Sequence, residues 1–364
     1  MKIRLEKRQP LPLWGRLLLP LLALLIAFLL SFLLILPAGA DPVAVFAWIF
    51  RGALGSKTSL AETAVKAAPL VLTGLAAAVA FSARFYNLGG EGQLYLGALA
   101  AATLGLVLPF SSGLSVPVLL IAAFAAGGLF ALGAGLLKTK LGVNEVVATL
   151  LSNSVVIYAV SALLDGPLKD PSTMWPNSPT VPLNVRLPIL LPGTRLHAGV
   201  IVALAAAAAV RLLMRKSVRG FELQAAGRNP RAAAFAGVPV VRAILIASFL
   251  SGGLAGLAGC GEVIGLRYNL IEKLSAGYGY AGVVAATLGG LDAVGVVLSA
   301  ILIAVIVTGA ELMSRYTGVP VALAETLQGL FLLSMLSVLI LSRFRIVVRR
   351  APRALPEGAG NPGP

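Results

Sequence analysis

Long apolar runs, separated by short polar or basic stretches, make up most of the chain. The first run, residues 16–38 (RLLLPLLALLIAFLLSFLLILPA), is as long as the roughly 20 residues needed to cross a bilayer. Later runs predict spans at Ala61–Ser82, Leu88–Leu108, Val116–Leu137, Val146–Leu164, Ala198–Met214, Val240–Gly259, Tyr278–Leu291, Val294–Met313 and Val321–Leu341. The pattern predicts an all-α integral membrane protein with about ten transmembrane helices. They form one domain, residues 1–350, followed by a Pro/Gly-rich disordered tail, residues 351–364.

Composition and charge support the membrane assignment. The chain is 58% hydrophobic and only 12% charged, with a mean hydropathy of +0.94. Its net charge of +15 does not favour nucleic-acid binding, because the basic residues flank the apolar runs without interleaved aromatics. With the N-terminus inside, the basic clusters all fall on the cytoplasmic side, as the positive-inside rule requires. We therefore expect a multi-pass plasma-membrane protein with both termini in the cytoplasm. The first run is interpreted as an uncleaved span, since it exceeds the roughly 7–15 residues of a signal-peptide core.

Catalytic and metal chemistry find little support in the sequence. A single cysteine, Cys260, and a single histidine, His197, exclude a disulfide framework and a multi-ligand Cys/His metal site. The stretch GALGSKTS, residues 52–59, lacks the spacing of a phosphate-binding loop. We expect no enzyme activity, no metal and no cofactor in this chain.

An internal repeat is visible at two places. Residues 85–105 (FYNLGGEGQLYLGALAAATLG) resemble residues 267–290 (RYNLIEKLSAGYGYAGVVAATLGG), and residues 141–151 resemble residues 317–328. In the predicted topology the two copies run in opposite directions, so spans 2–5 and 7–10 are predicted to form an inverted repeat. Chance similarity between Ala/Gly/Leu-rich spans is the alternative.

Polar residues within or beside the apolar runs mark a candidate pathway, because each is costly in hydrocarbon and must face protein or water. Glycines interrupt the predicted helix at NLGGEGQ, where an unwound segment would line a cavity. The alternative is that these groups only hydrogen-bond neighbouring helices. The candidate substrate-path residues are Asn87, Glu91, Gln93, Asn144, Asn153, Glu325 and Gln328.

A polar segment between two spans, residues 220–238 (GFELQAAGRNPRAAAFAGV), predicts two short helices. Asn229 and Pro230 are typical of a helix start, and Gly237 of a helix stop. Helices this short need a surface to pack on. Docking of a soluble partner, with Phe221 and Phe235 as anchors, is favoured over an amphipathic loop on the lipid surface.

The segment 220–238 resembles the coupling segment of ABC importer permeases of the branched-chain amino acid/ribose-type family. The stretches NLGGEGQLYLGALAA, NEVVATLLSN and GPLKDP resemble its simple sugar and nucleoside subgroup, and the similarity runs from about residue 87 to 341. The resemblance implies a type II importer fold, a homo- or heterodimeric permease core, and an extracytoplasmic solute-binding protein. It also implies a separate ATPase subunit that binds ATP and Mg²⁺.

Carried over by position, the resemblance assigns the ATPase contact to a set of residues in this segment: Phe221, Glu222, Ala226, Gly227, Arg228, Asn229, Pro230, Ala233 and Gly237. The subgroup favours nucleosides as substrates, with simple sugars as the alternative. The runner-up class is an ion-driven secondary transporter with Glu91, Glu145 or Glu325 as the ion carrier.

Overall fold

Most of the residues that the structure describes are helical. The structure is a computed structural model and describes residues 2–7, 22, 25–33, 35–38, 41–107, 114–317, 326, 329–330, 333–334, 337–338 and 344–349. Its α-helices are α1 (Pro42–Leu54), α2 (Lys57–Ser82), α3 (Gly90–Val107), α4 (Ser115–Leu141), α5 (Glu145–Asp165), α6 (Gly199–Lys216), α7 (Val218–Arg228), α8 (Pro230–Phe235), α9 (Val240–Gly261), α10 (Tyr278–Leu288) and α11 (Ala293–Thr317). A π-helix, Glu262–Arg267, continues α9.

A short antiparallel strand pair is an exception to the all-α expectation. The strands β1 (Lys2–Lys7) and β2 (Phe344–Arg349) pair with Lys2 opposite Arg349. The sequence KIRLEK alternates apolar and polar residues with the period of a strand, a pattern that is not visible as an apolar run. The predicted disordered tail, residues 351–364, and most of the predicted last span lie outside the described residues.

Five of the described helices are long and apolar enough to cross a membrane: Lys57–Ser82, Ser115–Leu141, Glu145–Asp165, Val240–Arg267 and Ala293–Tyr316. They agree with five of the predicted spans, and the protein is therefore a multi-pass membrane protein. Two shorter apolar helices accompany them. Helix α1 was not predicted, because 13 residues fall below the length of a span. Helix α10 ends at Leu288, three residues before the predicted boundary, since Gly289 caps it and Gly290 has φ +66°.

Close helix crossings at glycines and alanines build the core. A Cβ on Gly97 of α3 would lie 2.1 Å from the carbonyl oxygen of Gly256 in α9. One on Gly127 of α4 would lie 2.2 Å from the carbonyl oxygen of Gly252. Small residues allow the helix backbones to approach this closely. The resulting van der Waals packing drives helix association in lipid, where the hydrophobic effect does not act between helices. Helix α2 is buried along most of its length, whereas α5 exposes many apolar side chains.

Charged contacts distinguish the two ends of the bundle. At one end, Arg215 of α6 donates to Asp292, which precedes α11, at 2.6 Å. The C-terminus of α2 meets α7 at the same end, which we call the α7 end. At the other end, Arg195 of the loop 166–198 forms a bidentate pair with Glu62 of α2, with Nε–Oε1 2.7 Å. We call this the outer-loop end.

Candidate functional site

Two helices begin inside the bundle and meet head to head. The chain is non-helical between α2 and α3, and again between the π-helix and α10. A Cβ on Gly279 at the start of α10 would lie 2.3 Å from the backbone nitrogen of Glu91 at the start of α3, so the contact requires glycine. Helix α10 has 11 residues, or about 16 Å. This length places the contact, which we call the junction, roughly halfway across a hydrocarbon core of about 30 Å.

Glu91 lies at the junction with only 4% of its surface exposed. Its Oε2 accepts a hydrogen bond from the backbone nitrogen of Gly279 at 2.7 Å. The carboxylate therefore lies at the N-terminal ends of both α3 and α10, where the helix dipoles favour a negative charge. The sequence placed Glu91 on the pathway but did not predict that a second helix would begin against it.

An amide pair lies beside the junction. Asn87 Nδ2 donates to Gln93 Oε1 at 2.9 Å, and Gln93 Nε2 donates to Asn87 Oδ1 at 3.0 Å. Asn87 Nδ2 also donates to Ser251 Oγ of α9 at 2.9 Å. All three side chains are buried. The sequence analysis missed Ser251, whose only signal is a hydroxyl in an otherwise apolar run.

A stripe of polar side chains on α5 holds the chain between α2 and α3. Thr149 Oγ1 accepts from the backbone nitrogen of Leu88 at 3.1 Å. Asn153 Oδ1 accepts from Gly92 N at 2.8 Å, and Asn153 Nδ2 donates to the carbonyl of Leu88 at 2.8 Å. The stripe ends at Glu145, which accepts from the backbone nitrogen of residue 86 at 3.4 Å. The sequence analysis missed Thr149, although its spacing of four from Glu145 and Asn153 places all three on one helix face.

The remaining predicted path residues lie elsewhere. Asn144 is exposed and caps α5, its Oδ1 accepting from Val146 N at 2.9 Å. Glu325 and Gln328 lie outside the described residues. Four of the predicted residues, Asn87, Glu91, Gln93 and Asn153, are thus brought together around the junction.

The segment 220–238 folds into α7 and α8 as the caps predicted. Asn229 Oδ1 accepts from Ala232 N at 3.2 Å, with Pro230 in the first turn of α8. Gly237 has φ +82° and lies two residues beyond Phe235, where α8 ends. Of the other predicted coupling residues, Glu222 pairs with Arg219, Ala226 and Ala233 are buried, and Arg228 is exposed.

Helix α7 packs tightly against the end of α2. A Cβ on Gly227 would lie 1.9 Å from the carbonyl oxygen of Ser82. Leu223 and Ala226 form a small buried cluster with Ala83 and two alanines of α9. In contrast, 66% of Phe221 and 97% of Phe235 are exposed. The segment is therefore held firmly on one face and presents two aromatic rings on another.

The fold and the buried polar junction define a multi-pass helical membrane protein of the transporter class. The chain belongs to the family of branched-chain amino acid transport system permease components, whose model matches residues 59–336. Members of this family are transport subunits. The residues that resembled this family in the sequence therefore identified it correctly.

Relatives with named functions match most of the chain. It is 34% identical to the guanosine ABC transporter permease protein NupP of Bacillus subtilis over 88% of this chain and 92% of the relative. It is 32% identical to the glucose ABC transporter permease protein TsgB13 of Haloferax volcanii, over 95% of this chain and 93% of the relative. It is 29% identical to the nucleoside ABC transporter permease protein NupB of Lactococcus lactis, over 84% and 86%. No solved structure matches the chain at a significant level.

Proposed function

We propose that this chain is the permease subunit of an ATP-driven ABC importer that carries nucleosides across the plasma membrane. The observation that carries the proposal is the segment α7–α8, anchored at Gly227 and exposing Phe221 and Phe235. A separate subunit binds ATP and Mg²⁺ and receives these rings. Aromatic side chains that project from a rigid base are typical anchors of a protein interface.

Motion of the ATPase reaches the junction along the backbone. Gly227 of α7 contacts Ser82, the last residue of α2, and only four residues separate Ser82 from Asn87. The turn between them is fixed, because Lys138 Nζ donates to the carbonyl of Arg84 at 2.7 Å and forms an ion pair with Glu145. A displacement of α7 therefore moves the end of α2 and the polar groups beside Glu91. This movement opens the path alternately to the two sides of the membrane.

The ten-span inverted repeat is supported by matching local structure in its two copies. In each copy, the long helix is followed by a residue with positive φ. This residue is Arg84, at 59°, after α2, and Tyr268, at 61°, after the π-helix that continues α9. Thr103 of α3 and Thr287 of α10, both in the motif AATLG, donate to the carbonyl four residues earlier, at 2.8 and 2.9 Å. Helix α2 packs on α10 and α11, as α9 packs on α3 and α4. In this arrangement both termini lie in the cytoplasm, together with α7 and α8.

The polar groups around the junction suit a substrate with a planar ring and several hydrogen-bonding groups. Tyr86 and Tyr280 are 45% and 46% exposed, whereas Tyr95 and Tyr278 are buried. Tyr280 is held in place because its hydroxyl accepts from Asn153 Nδ2 at 3.2 Å. Stacking of a base on an exposed tyrosine, with buried amides nearby, favours nucleosides. Simple sugars are the second candidate, since a sugar permease is among the relatives.

The importer assembly includes a second permease, either a copy of this chain or a related one, and an extracytoplasmic binding protein. Helix α5 exposes apolar side chains that a second permease would cover, among them Leu151, Val155 and Tyr158. At the outer-loop end, Trp175 is 77% exposed on a loop held to the bundle by Ser178 N, which donates to the Leu270 carbonyl at 2.9 Å. This loop is the proposed contact for the binding protein.

An ion-driven carrier is less well supported. Such a carrier needs a carboxylate free to exchange its ion. Of the candidates within the described residues, Glu91 is occupied by Gly279 N and Glu145 by Lys138. Glu325, the third candidate, lies outside them. Such a carrier would also have no use for exposed rings on α7 and α8.

The test is to tag the chain, extract it from native membranes, and identify the bound proteins by mass spectrometry. We expect an ATP-binding subunit that is lost when residues 220–238 are scrambled and weakened by Phe235→Ala. Phe50→Ala is the matched control, because this ring is 55% exposed at the outer-loop end. Recovery of the same proteins from the scrambled chain, or of no ATPase from the wild type, would refute the coupling assignment. Competition between guanosine and glucose for uptake then distinguishes the two substrates.

A further inference from the structure

An open cavity of about 290 Å³ lies at the outer-loop end, far from the junction and from α7. It is bounded by α1, the start of α2 and the end of α11. Its lining includes the rings of Trp48 and Tyr316, the guanidinium of Arg51, the hydroxyls of Ser56 and Ser59, and the apolar side chain of Leu312. Nothing in the transport mechanism above uses this cavity.

The aromatic wall of the cavity is ordered. The rings of Trp48 and Tyr316 stack with centroids 4.5 Å apart and planes 7° from parallel. Tryptophan and tyrosine are enriched where a span leaves the hydrocarbon and meets the lipid headgroups. On another face, α1 exposes Val43, Phe50 and Leu54, an apolar strip suited to acyl chains.

The charge of the cavity is basic. Among the described residues Arg51 makes no ion pair, because the acidic side chains of the adjoining helices pair elsewhere: Glu62 with Arg195 and Glu311 with Lys66. Lys57 and Arg315 are exposed at the same end. The hydroxyls of Ser56 and Ser59, which also line the cavity, lie 2.9 Å apart. A guanidinium with hydroxyl donors is a typical receptor for a phosphate group.

We infer that this cavity binds the headgroup phosphate of an anionic phospholipid in the extracytoplasmic leaflet. Arg51 contacts the phosphate, the stacked rings lie at the glycerol level, and the acyl chains follow the apolar strip of α1. Basic pockets between transmembrane helices are known to bind anionic headgroups on the matrix or cytoplasmic side of membranes, and the same guanidinium–phosphate chemistry applies at the opposite leaflet. The inference does not depend on which solute the permease carries.

The test is native mass spectrometry of the full-length chain in detergent, titrated with phosphatidylglycerol. We expect one tightly held lipid, at least tenfold weaker in Arg51→Gln and intermediate in Arg51→Lys, which keeps the charge but loses the planar fork. Arg315→Gln is the matched control, since this exposed arginine of α11 lies at the same end of the bundle but does not line the cavity. A cooperative thermal unfolding transition is required of each variant as evidence that it is folded. If Arg51→Gln does not fold, Arg51→Lys is compared with the wild type in its place.

Three results would overturn the inference. The first is equal retention of phosphatidylglycerol by the wild type and the Arg51 variants. The second is retention of phosphatidylcholine with the same acyl chains as tightly as phosphatidylglycerol. The third is displacement of the lipid by millimolar inorganic phosphate, which would make this a site for a free anion instead of a lipid.

Discussion

The junction and the segment α7–α8 differ in the environment of their side chains. Around the junction, Asn87, Gln93 and Asn153 are almost completely buried, and each hydrogen-bonds to another part of this chain. On α7 and α8, Phe221 and Phe235 are exposed to solvent. The first region is completed within the chain, whereas the second gains most from a partner. The comparison indicates that substitutions at the junction act on folding and the path, while substitutions on α7–α8 act on assembly.

The largest effect is expected where the two regions connect. Gly227→Ala would place a methyl group 1.9 Å from the carbonyl oxygen of Ser82, so α7 must move away from α2. We expect uptake to fall at least tenfold and the ATPase to be lost on purification. The matched control is Gly133→Ala in α4, because a Cβ there meets nothing within 4 Å. Equal uptake by the two variants would contradict the proposed connection.

A smaller effect is expected inside the junction. Asn153→Leu removes the partners of Gly92 N and the Leu88 carbonyl, and an unsatisfied buried polar group costs about 1–3 kcal/mol. The measurement is the thermal unfolding midpoint in detergent. ATPase association of the folded protein should be retained. Asn144→Leu, at the exposed cap of α5, should cost less, about 1 kcal/mol. The comparison fails if the exposed change is the more damaging one.

The outer-loop end gives a pH-dependent prediction. Burial lowers the pKa of His197 to about 4 from its ordinary value of 6.5. Between these values the unfolded chain binds a proton that the folded chain does not, so acidification favours unfolding. Stability should be full above pH 6.5 and decline toward pH 4. His197→Asn, which keeps an acceptor for Gly199 N, should flatten this part of the unfolding profile. An unchanged slope in the variant would assign the dependence to other groups.

The smallest effect concerns the cap of α8. Asn229→Ala removes the acceptor for Ala232 N, which typically costs about 1 kcal/mol. Because α8 has only six residues, we expect its docking to weaken roughly fivefold in a titration with the purified ATPase. Asn229→Asp keeps the cap and should bind normally. Identical weakening in both variants would show that the amide itself, and not the cap, makes the contact.

Much of this architecture follows from local sequence patterns. The apolar runs predicted the five described spans, and the Asn-Pro and Gly signals predicted where α8 begins and ends. Capping depends on neighbouring residues, which explains why these predictions were confirmed. Helix α1 was missed because its apolar run is short, and the strand pair because its partners are more than 300 residues apart.

The junction itself could be predicted only in part. The glycines and polar residues of NLGGEGQ marked Asn87, Glu91 and Gln93, since polar groups in an apolar run need partners. Their partners, Gly279 of α10 and Ser251 of α9, come from other helices and have no distinctive local signal. Thr149, which accepts from Leu88 N, had a signal only in its spacing of four from Glu145 and Asn153. Asn144 was grouped with the path because it is a polar residue at the end of an apolar run, but its exposed position at a helix cap separates it from the junction.

The most direct test of the central claim is a cross-link from α8 to the ATPase. Cys260 is buried, so Cys260→Ala gives a background into which Phe235→Cys can be introduced and labelled with a photoreactive reagent. Phe50→Cys at the outer-loop end is the control position. The account predicts a cross-link from residue 235 to an ATP-binding subunit, altered by addition of ATP, and none from residue 50. Cross-links from residue 235 to lipid alone, in membranes that contain the ATPase, would contradict it.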